Sequence, residues 1–390
     1  MKIRILAGLM DRSSGSSVYH RELALRLASR GHRVSLVCFG PAGLDPGTAE
    51  VFEVPPAAPE PLRFFWRFAS PLNHRRCGRS LARSRVAPVD VVIGGEHLFL
   101  KAHRRLFPGT PWIYLPHSLV VDQEIRGYGL PPAMELVTTR FYVHLQRWAL
   151  NHADRTLRFT RQACDSLTAR YGRGVDPRYV VNPMGIELPD PPPREPAGGP
   201  IRLVWVGQLI PRKRIDFALS VLERLRGHAW RFDIVGEGAS RGALEEQVGR
   251  SRLSDRVRFH GFQQDPRGWY RRSDLLLFPS LSENCPVAML ESMAHGVPCL
   301  AMRADGVRFF NANTEIISDD VDGFLAATDE DFAAKLRRLI EDAGVLEAAG
   351  ASARRKMEDF HAWDKHIDRY ELLFGELAGR RGPAARPGPA

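Results

Sequence analysis

The sequence contains no apolar run near the roughly 18 residues that a membrane-spanning helix needs, so it predicts no transmembrane segment. Cysteine is scarce. The five present (Cys38, Cys77, Cys164, Cys285, Cys299) are odd in number, scattered, and without metal-ligand spacing. That argues against a disulfide framework and a structural zinc site, and it fits a reducing cytoplasm. No short-period repeat is present, which excludes a solenoid. The opening MKIRILAGLMDRSSG meets charge too early for a secretory leader and reads instead as a first buried strand. What is abundant is apolar side chain, at 44% of 390 residues, enough for two or three domains with real cores.

Acid is missing from one stretch in particular. Residues 61–88, PLRFFWRFASPLNHRRCGRSLARSRVAP, hold seven arginines and no aspartate or glutamate, with Phe64, Phe65, Trp66 and Phe68 interleaved. The chain as a whole carries a net charge of +10. The stretch fits a solvated helix face with a buried aromatic side. It fits also a peripheral contact with an anionic membrane, or a grip on an anionic acceptor. Nucleic acid is not expected, because no nucleic-acid-binding module accompanies the charge.

Short apolar runs alternate with helical patterns. KIRILAGL, RVSLVCF, VDVVIGG, PWIYLPH and RTLRFT read as buried parallel strands, with a helix over about 18–30. PDPPPREPAGGP, near residues 189–200, reads as a linker. A second series follows: IRLVWVG, RFDIVGEG, RVRFHGF, DLLLFPS and VPCLAM as strands, with helices near 215–226, 329–342, 345–360 and 363–379. The tail 380–390 reads as disordered. The pattern predicts an α/β protein of two Rossmann-like doubly wound domains with an inter-domain cleft, where ligands sit beyond the carboxyl ends of the strands.

The segment PSLSENCPVAMLESMAHGVPCLA, residues 279–301, carries the clearest chemistry. A strand ends at LLLFPS, Pro286 suits the first helical position, and Gly296 suits the helix end. The helix N-terminus offers backbone N–H groups and partial positive charge to an anion such as a diphosphate. Glu283 precedes that helix and Glu291 lies within it, each able to accept hydrogen bonds from hydroxyls beside the anion. Two hydroxyl-bearing groups flanking a diphosphate describe a nucleotide sugar. Spacing alone leaves an exposed loop acid and an exposed helix acid equally open.

SENCPVAMLESMAHGVPCLA resembles the Glu-x7-Glu segment of the retaining family-4 glycosyltransferases, whose architecture is GT-B. SGSSVYHRELALRLASRGHRVSLV, VWVGQLIPRKRIDFAL, FDIVGEGASRGALEEQV, RVRFHGF and TEIISDDVDGFLA resemble further family segments in the same order. The resemblance implies an acceptor-binding N-terminal domain over 1–188 and a nucleotide-sugar donor domain over 201–362. The helix 363–379 is then expected to pack back towards the N-domain.

It implies the following roles. Glu283 holds hydroxyls of the donor sugar and Glu291 the ribose hydroxyls. Asn284 and Cys285 present backbone N–H groups to sugar and phosphate, next to Pro286. Lys213 neutralises the departing diphosphate. Gly15 lets backbone approach the donor phosphates, and His117 lies near the donor sugar as a third catalytic candidate. Glu96 and His97 are acceptor-side candidates. No metal and no cofactor is expected, and UDP is favoured over GDP.

The sequence departs from the family in places. Gln208 stands where arginine is usual, with Arg212 or Arg214 as substitutes. Asn284-Cys285 replaces glycine and an aromatic, Met184 replaces a common asparagine, and the loop bearing Asn311 and Asn313 is long. The paired aspartates of SDDVDG, 318–323, read as a turn rather than a cation site. The expected activity is transfer of a hexose or amino sugar from a nucleoside diphosphate to an acceptor hydroxyl by same-face displacement, in a bacterial cytoplasm or at the inner membrane face. A pseudo-glycosyltransferase and a non-catalytic nucleotide-sugar binder are the alternatives.

Overall fold

The computed structural model describes residues 1–9, 15–39, 43–44, 47, 49–54, 87–116, 132–165, 178–190, 199–283, 285–305 and 310–379. The basic stretch at 61–88 lies outside them except for its last two residues, and so do His117, Asn284 and most of the proline-rich stretch. The chain forms two units. One comprises Met1–Arg158, Cys164–Asn182 and the chain from Ile367; the other comprises Phe159–Ala163 and Pro183–His366.

The first unit is built on seven strands: β1 (Lys2–Leu9), β2 (Arg33–Phe39), β3 (Glu50–Val54), β4 (Val91–Gly94), β5 (Trp112–Tyr114), β6 (Arg155–Arg158) and β7 (Tyr179–Val181). They lie in the order β3-β2-β1-β4-β5-β6-β7, every neighbouring pair parallel. Parallel strands need crossovers, which helices Gly15–Ser29, His97–Leu106 and Pro132–His152 supply. Leu6, Val37, Phe99, Trp112, Tyr114 and Leu145 form the core between sheet and helices. The Gly94-Gly95 pair marks a close approach, since a Cβ on Gly95 would lie 2.2 Å from the Leu115 carbonyl oxygen. Tyr370 of the last helix is hydrogen-bonded through its hydroxyl to that of Tyr19, at 3.1 Å.

The second unit repeats the plan. Strands β8 (Ile201–Val206), β9 (Trp230–Val235), β10 (Val257–Phe259), β11 (Leu275–Phe278), β13 (Cys299–Met302) and β15 (Phe324–Ala326) form a parallel sheet of order β10-β9-β8-β11-β13-β15. A separate parallel pair joins β12 (Ser282–Glu283) to β14 (Phe310–Asn311). In both sheets the first strand is central and the order reverses beside it, between β1 and β4 and between β8 and β11. Such a reversal opens a crevice at the strands' carboxyl ends.

The long segment of the second unit begins at Pro183, ahead of the linker expected near 189. The reason is local: Ile186 pairs with Ala362, His361 is hydrogen-bonded to the Met184 carbonyl at 3.0 Å, and Gly185 packs directly under the Trp363 ring. Strands β3, β7, β12, β14 and β15 have two to five residues each, too few for a periodic signal.

Candidate active site

Two glycines set the floor of the site. Gly207, after β8, and Gly236, after β9, have φ of 148° and 145°, conformations that favour glycine. A Cβ on Gly236 would lie 1.8 Å from the Gly207 carbonyl oxygen. The two loops are then laced together: Gly207 N donates to Val235 O (3.0 Å), Leu209 N to Glu237 O (2.9 Å) and Ser240 N to Leu209 O (2.9 Å). A single 3-10 turn, Pro211–Lys213, follows and ends at Arg214 in the left-handed region, φ 56°. The Leu281 N–H donates to the Arg212 carbonyl at 3.0 Å, which ties this turn to the chain leaving β11.

Glu283 sits where those two chain segments meet. Its backbone is held by pairing with Asn311 and by the Ala312 N–H donating to its carbonyl at 3.2 Å. Its carboxylate accepts a hydrogen bond from Lys213 Nζ, and the Arg212 guanidinium lies 3.6 Å away. Arg212 also donates to the Ser282 carbonyl. The Glu283 and Lys213 side chains are only 9% and 13% exposed, so the pair is poorly screened by water. The Lys213 ammonium also lies 5.8 Å and 5.6 Å from the ring centres of Trp205 and Phe278, whose rings stack at 5.5 Å. The aromatic faces attract the cation and limit its range of positions.

Helix Val287–Ala294 starts immediately beyond. Pro286 is its N-cap (φ −79°, ψ 90°) and not its first helical residue, one position off the sequence expectation. With no side-chain cap from Pro286, the N-terminal dipole is uncompensated at that position. Gly296, at φ 71°, closes the helix, with its N–H donating to Met293 O at 2.9 Å and Val297 N to Ser292 O at 3.0 Å.

Glu291 lies in the second turn, where the Tyr270 hydroxyl donates to its Oε2 at 2.9 Å. Burial pushes this carboxyl up to about 7; the Tyr270 bond and the charge of Arg267 pull it down, and Asp265 adds to the rise.

The remaining candidates fall into place separately. Gln208 is exposed at the loop tip. Arg214 is buried, pairs with Asp329 at 2.8 Å and stacks on Phe217. Of the two arginines that could replace the missing one, Arg212 is therefore the one beside Glu283. Cys285 lies with its Sγ 3.7 Å from Met184 Sδ, so two of the unusual residues touch each other. Asn311 and Asn313 are buried, and Asn313 donates to the Met302 carbonyl at 2.9 Å. The SDDVDG segment is a turn whose Asp319, Asp320 and Asp322 pair with Lys335, Arg338 and Lys356. Among the described residues no three metal-binding side chains cluster.

Gly15, Glu96 and His97 belong to the first unit. Gly15 is exposed and opens its helix. Glu96 is half-buried. His97 is a core residue, 4% exposed and hydrogen-bonded to the Tyr114 hydroxyl at 2.6 Å, and burial pulls its ring down to about 4. His117 and Asn284 lie outside the described residues.

Sequence reasoning did not find Tyr270 or the Trp205–Phe278 platform. Tyr270 stands 21 residues before Glu291 on a five-residue helix, Arg267–Arg271, too short to carry a pattern.

Two parallel sheets, of seven and six strands, that share the order of six strands, with an anion-suited helix end and a cation–carboxylate cluster at the second one's switch point, define a GT-B type α/β protein. Solved structures agree. Sucrose-phosphate synthase from Thermosynechococcus elongatus matches at TM-score 0.79 over 98% of this chain and 100% of that one, at 17% identity. HepE from Anabaena, in complex with UDP and glucose, matches at TM-score 0.69 over 95% and 99%, at 16% identity. At the sequence level, residues 13–190 match the family described as Glycosyltransferase Family 4, and residues 200–342 match Glycosyl transferases group 1. The chain belongs to the group 1, family 4 glycosyltransferases. It is 25% identical to glycogen synthase of Mycobacterium tuberculosis, over 94% of this chain and 91% of that protein. It is 29% identical to D-inositol 3-phosphate glycosyltransferase of Rhodococcus jostii, over 71% and 64%. Among the described residues no helix is long and apolar enough to cross a membrane.

Proposed function

We infer that this glycosyltransferase moves a sugar from a nucleoside diphosphate sugar to an acceptor hydroxyl with retention at the anomeric carbon. The observation that carries the reading is the Lys213–Glu283 pair, with Arg212 alongside, one residue-pair ahead of the helix N-terminus at Pro286. Cations and helix dipole suit a diphosphate whose negative charge grows as it leaves. Glu283 suits the donor sugar hydroxyls, and Glu291, on the next helix, suits the ribose. A uracil base is favoured by the likeness to HepE, which was solved with UDP and glucose.

In this reading Lys213 exchanges its carboxylate partner for the diphosphate when the donor arrives. Glu283 then accepts hydrogen bonds from the sugar and fixes its anomeric carbon relative to the leaving oxygen. The acceptor hydroxyl enters on the face from which the diphosphate departs and gives that diphosphate its proton. Neither glutamate serves as the nucleophile. Neutralisation of the leaving group falls to Lys213 and Arg212, with no metal assigned. His117, Gly15, Gln208 and the Asn284-Cys285 backbone remain candidate donor contacts, and Glu96 a candidate for the acceptor side.

The test is a panel of UDP- and GDP-sugars screened for thermal stabilisation of the full chain. The best donor is then offered to hydroxyl acceptors, with the product's anomeric configuration read by NMR. Stabilisation followed by a retained linkage supports the reading; an inverted linkage overturns it. The departures at Gln208 and Asn284-Cys285 favour one second reading, a non-glycosidic coupling on the same donor site, which a pseudo-sugar acceptor would reveal.

A further inference from the structure

Glu291 is held by a residue that no motif assigned. Tyr270 is fully enclosed, and its hydroxyl donates to Glu291 Oε2 at 2.9 Å. One turn on, His295 bonds the Glu291 carbonyl through Nδ1 at 2.7 Å, and its ring lies 5.3 Å from that of Tyr270. With Nδ1 facing a carbonyl, Nδ1 carries the proton, and the buried Nε2 is a lone pair with no partner. Burial pulls this ring's pKa down, against the bond to the Glu291 carbonyl and with the nearby Arg271, Arg354 and Arg267, which favours the neutral form. Tyr270 keeps its proton, because burial and Glu291 both raise it. The hydroxyl is therefore a fixed donor, aimed at one of the two carboxylate oxygens.

We propose that Tyr270 is a positioning residue for the nucleotide: its hydroxyl fixes Oε2 of Glu291 and leaves Oε1 for the ribose diol. This rests on the reading of Glu291 as the ribose acceptor. An ionised acceptor makes the stronger hydrogen bonds with two hydroxyls, whereas a protonated one offers a donor and gives up part of that strength. The groups that face Glu291 are Tyr270, Asp265 and Arg267 on or before the Arg267–Arg271 helix, and His295 beyond it. Cys299 of β13 faces Tyr270, and Arg354 of helix Gly344–Lys356 bonds the Ala294 carbonyl. Tyr270 is the one whose hydroxyl reaches the carboxylate itself. Removing that hydroxyl leaves burial, the larger influence, unopposed by its main counterweight, so the carboxyl holds its proton to higher pH.

The experiment is calorimetric titration of the full chain between pH 5.5 and 8.5 with UDP-glucose and GDP-glucose. Their diphosphates carry no group that titrates in that range. Wild type, Tyr270→Phe, Glu291→Gln and the double variant are compared with whichever donor binds wild type more tightly. Wild-type affinity should fall as pH drops through about 7. Tyr270→Phe should move that fall upward by about one pH unit and weaken binding about 5- to 10-fold at neutral pH, with the loss narrowing at pH 8.5. Glu291→Gln should show no such step, and adding Tyr270→Phe to it should change nothing further. A Tyr270→Phe profile that superimposes on wild type overturns the positioning role while leaving the ribose reading intact. The role also fails if Tyr270→Phe weakens binding as much in the Glu291→Gln background as alone, since that is a purely structural effect. If Glu291→Gln binds like wild type, or neither nucleotide sugar binds, the ribose reading fails and the proposal falls with it.

Discussion

Replacing Glu283 by glutamine should push binding and turnover in opposite directions. In the free protein the Lys213 ammonium is committed to Glu283, in a pair whose side chains are 13% and 9% exposed. A hydrogen bond to a charged group in such surroundings is worth about 1.5–3 kcal/mol net. A diphosphate that recruits Lys213 must first break it. Glutamine offers a neutral carbonyl in the same place, so much of that cost disappears. Lys213 does not lose its setting, because the Trp205 and Phe278 rings remain 5.8 Å and 5.6 Å away and Arg212 stays bonded to the Ser282 carbonyl. A saving of about 1 kcal/mol corresponds to roughly fivefold tighter binding of the free nucleoside diphosphate.

Transfer should fall by about 100-fold or more, because the carboxylate that glutamine replaces is the one that holds the reacting sugar. Calorimetry with UDP and single-turnover transfer from the matched UDP-sugar read the two effects separately. Weaker UDP binding in proportion to lost turnover would place Glu283 on the nucleotide and refute the division of labour. Near-normal transfer would refute the site.

Other outcomes follow from the same geometry. Glu291 titrates near 7 in the fold against an ordinary 4.5, so the folded state holds the extra proton between those values. The stabilisation is full below about 4.5 and lost as pH rises through 7, so ligand-free wild type should lose on the order of 3 kcal/mol across that window; melting curves should show a smaller loss in Glu291→Gln. Gly236→Ala should unfold or grossly loosen the second unit, since its Cβ would collide with the Gly207 carbonyl at a φ of 145°; a melting temperature within a few degrees of wild type would contradict the interlocked loops. Asp329→Ala removes an ion-pair partner of the buried Arg214 guanidinium and should cost about 2 kcal/mol in urea unfolding, with little change in nucleotide affinity. The 61–88 stretch should carry the full chain onto anionic vesicles at low salt if it docks on membrane, and failure to sediment would remove that reading.

Much of the architecture is legible in the sequence because buried parallel strands write continuous apolar runs. LLLF and CLAM became β11 and β13, each buried throughout. The helix Gly15–Ser29 started three residues earlier than its apolar pattern suggested. The two-residue strands β12 and β14 wrote nothing, yet their pairing holds the backbone of Glu283. His97 read as an acceptor-side candidate because it follows a strand of the first unit. Its burial against Tyr114, set by packing across strands, is not encoded locally.

The sequence by itself determined the alternation of strands and helices, the helix start at Pro286 to within one residue, its glycine stop, and the presence of two acids on either side of that start. Those are local properties of period, dihedral preference and capping. Only the tertiary structure decided that the two acids live in different surroundings. Glu283 meets Lys213 because the turn after β8 is hydrogen-bonded to the segment after β11, 70 residues along the chain. Glu291 meets Tyr270 because helices Arg267–Arg271 and Val287–Ala294 pack against each other, and that enclosure raises one carboxyl towards neutrality while the other rests on a cation. Charge state depends on what surrounds a side chain in space, and spacing along the chain carries no record of it.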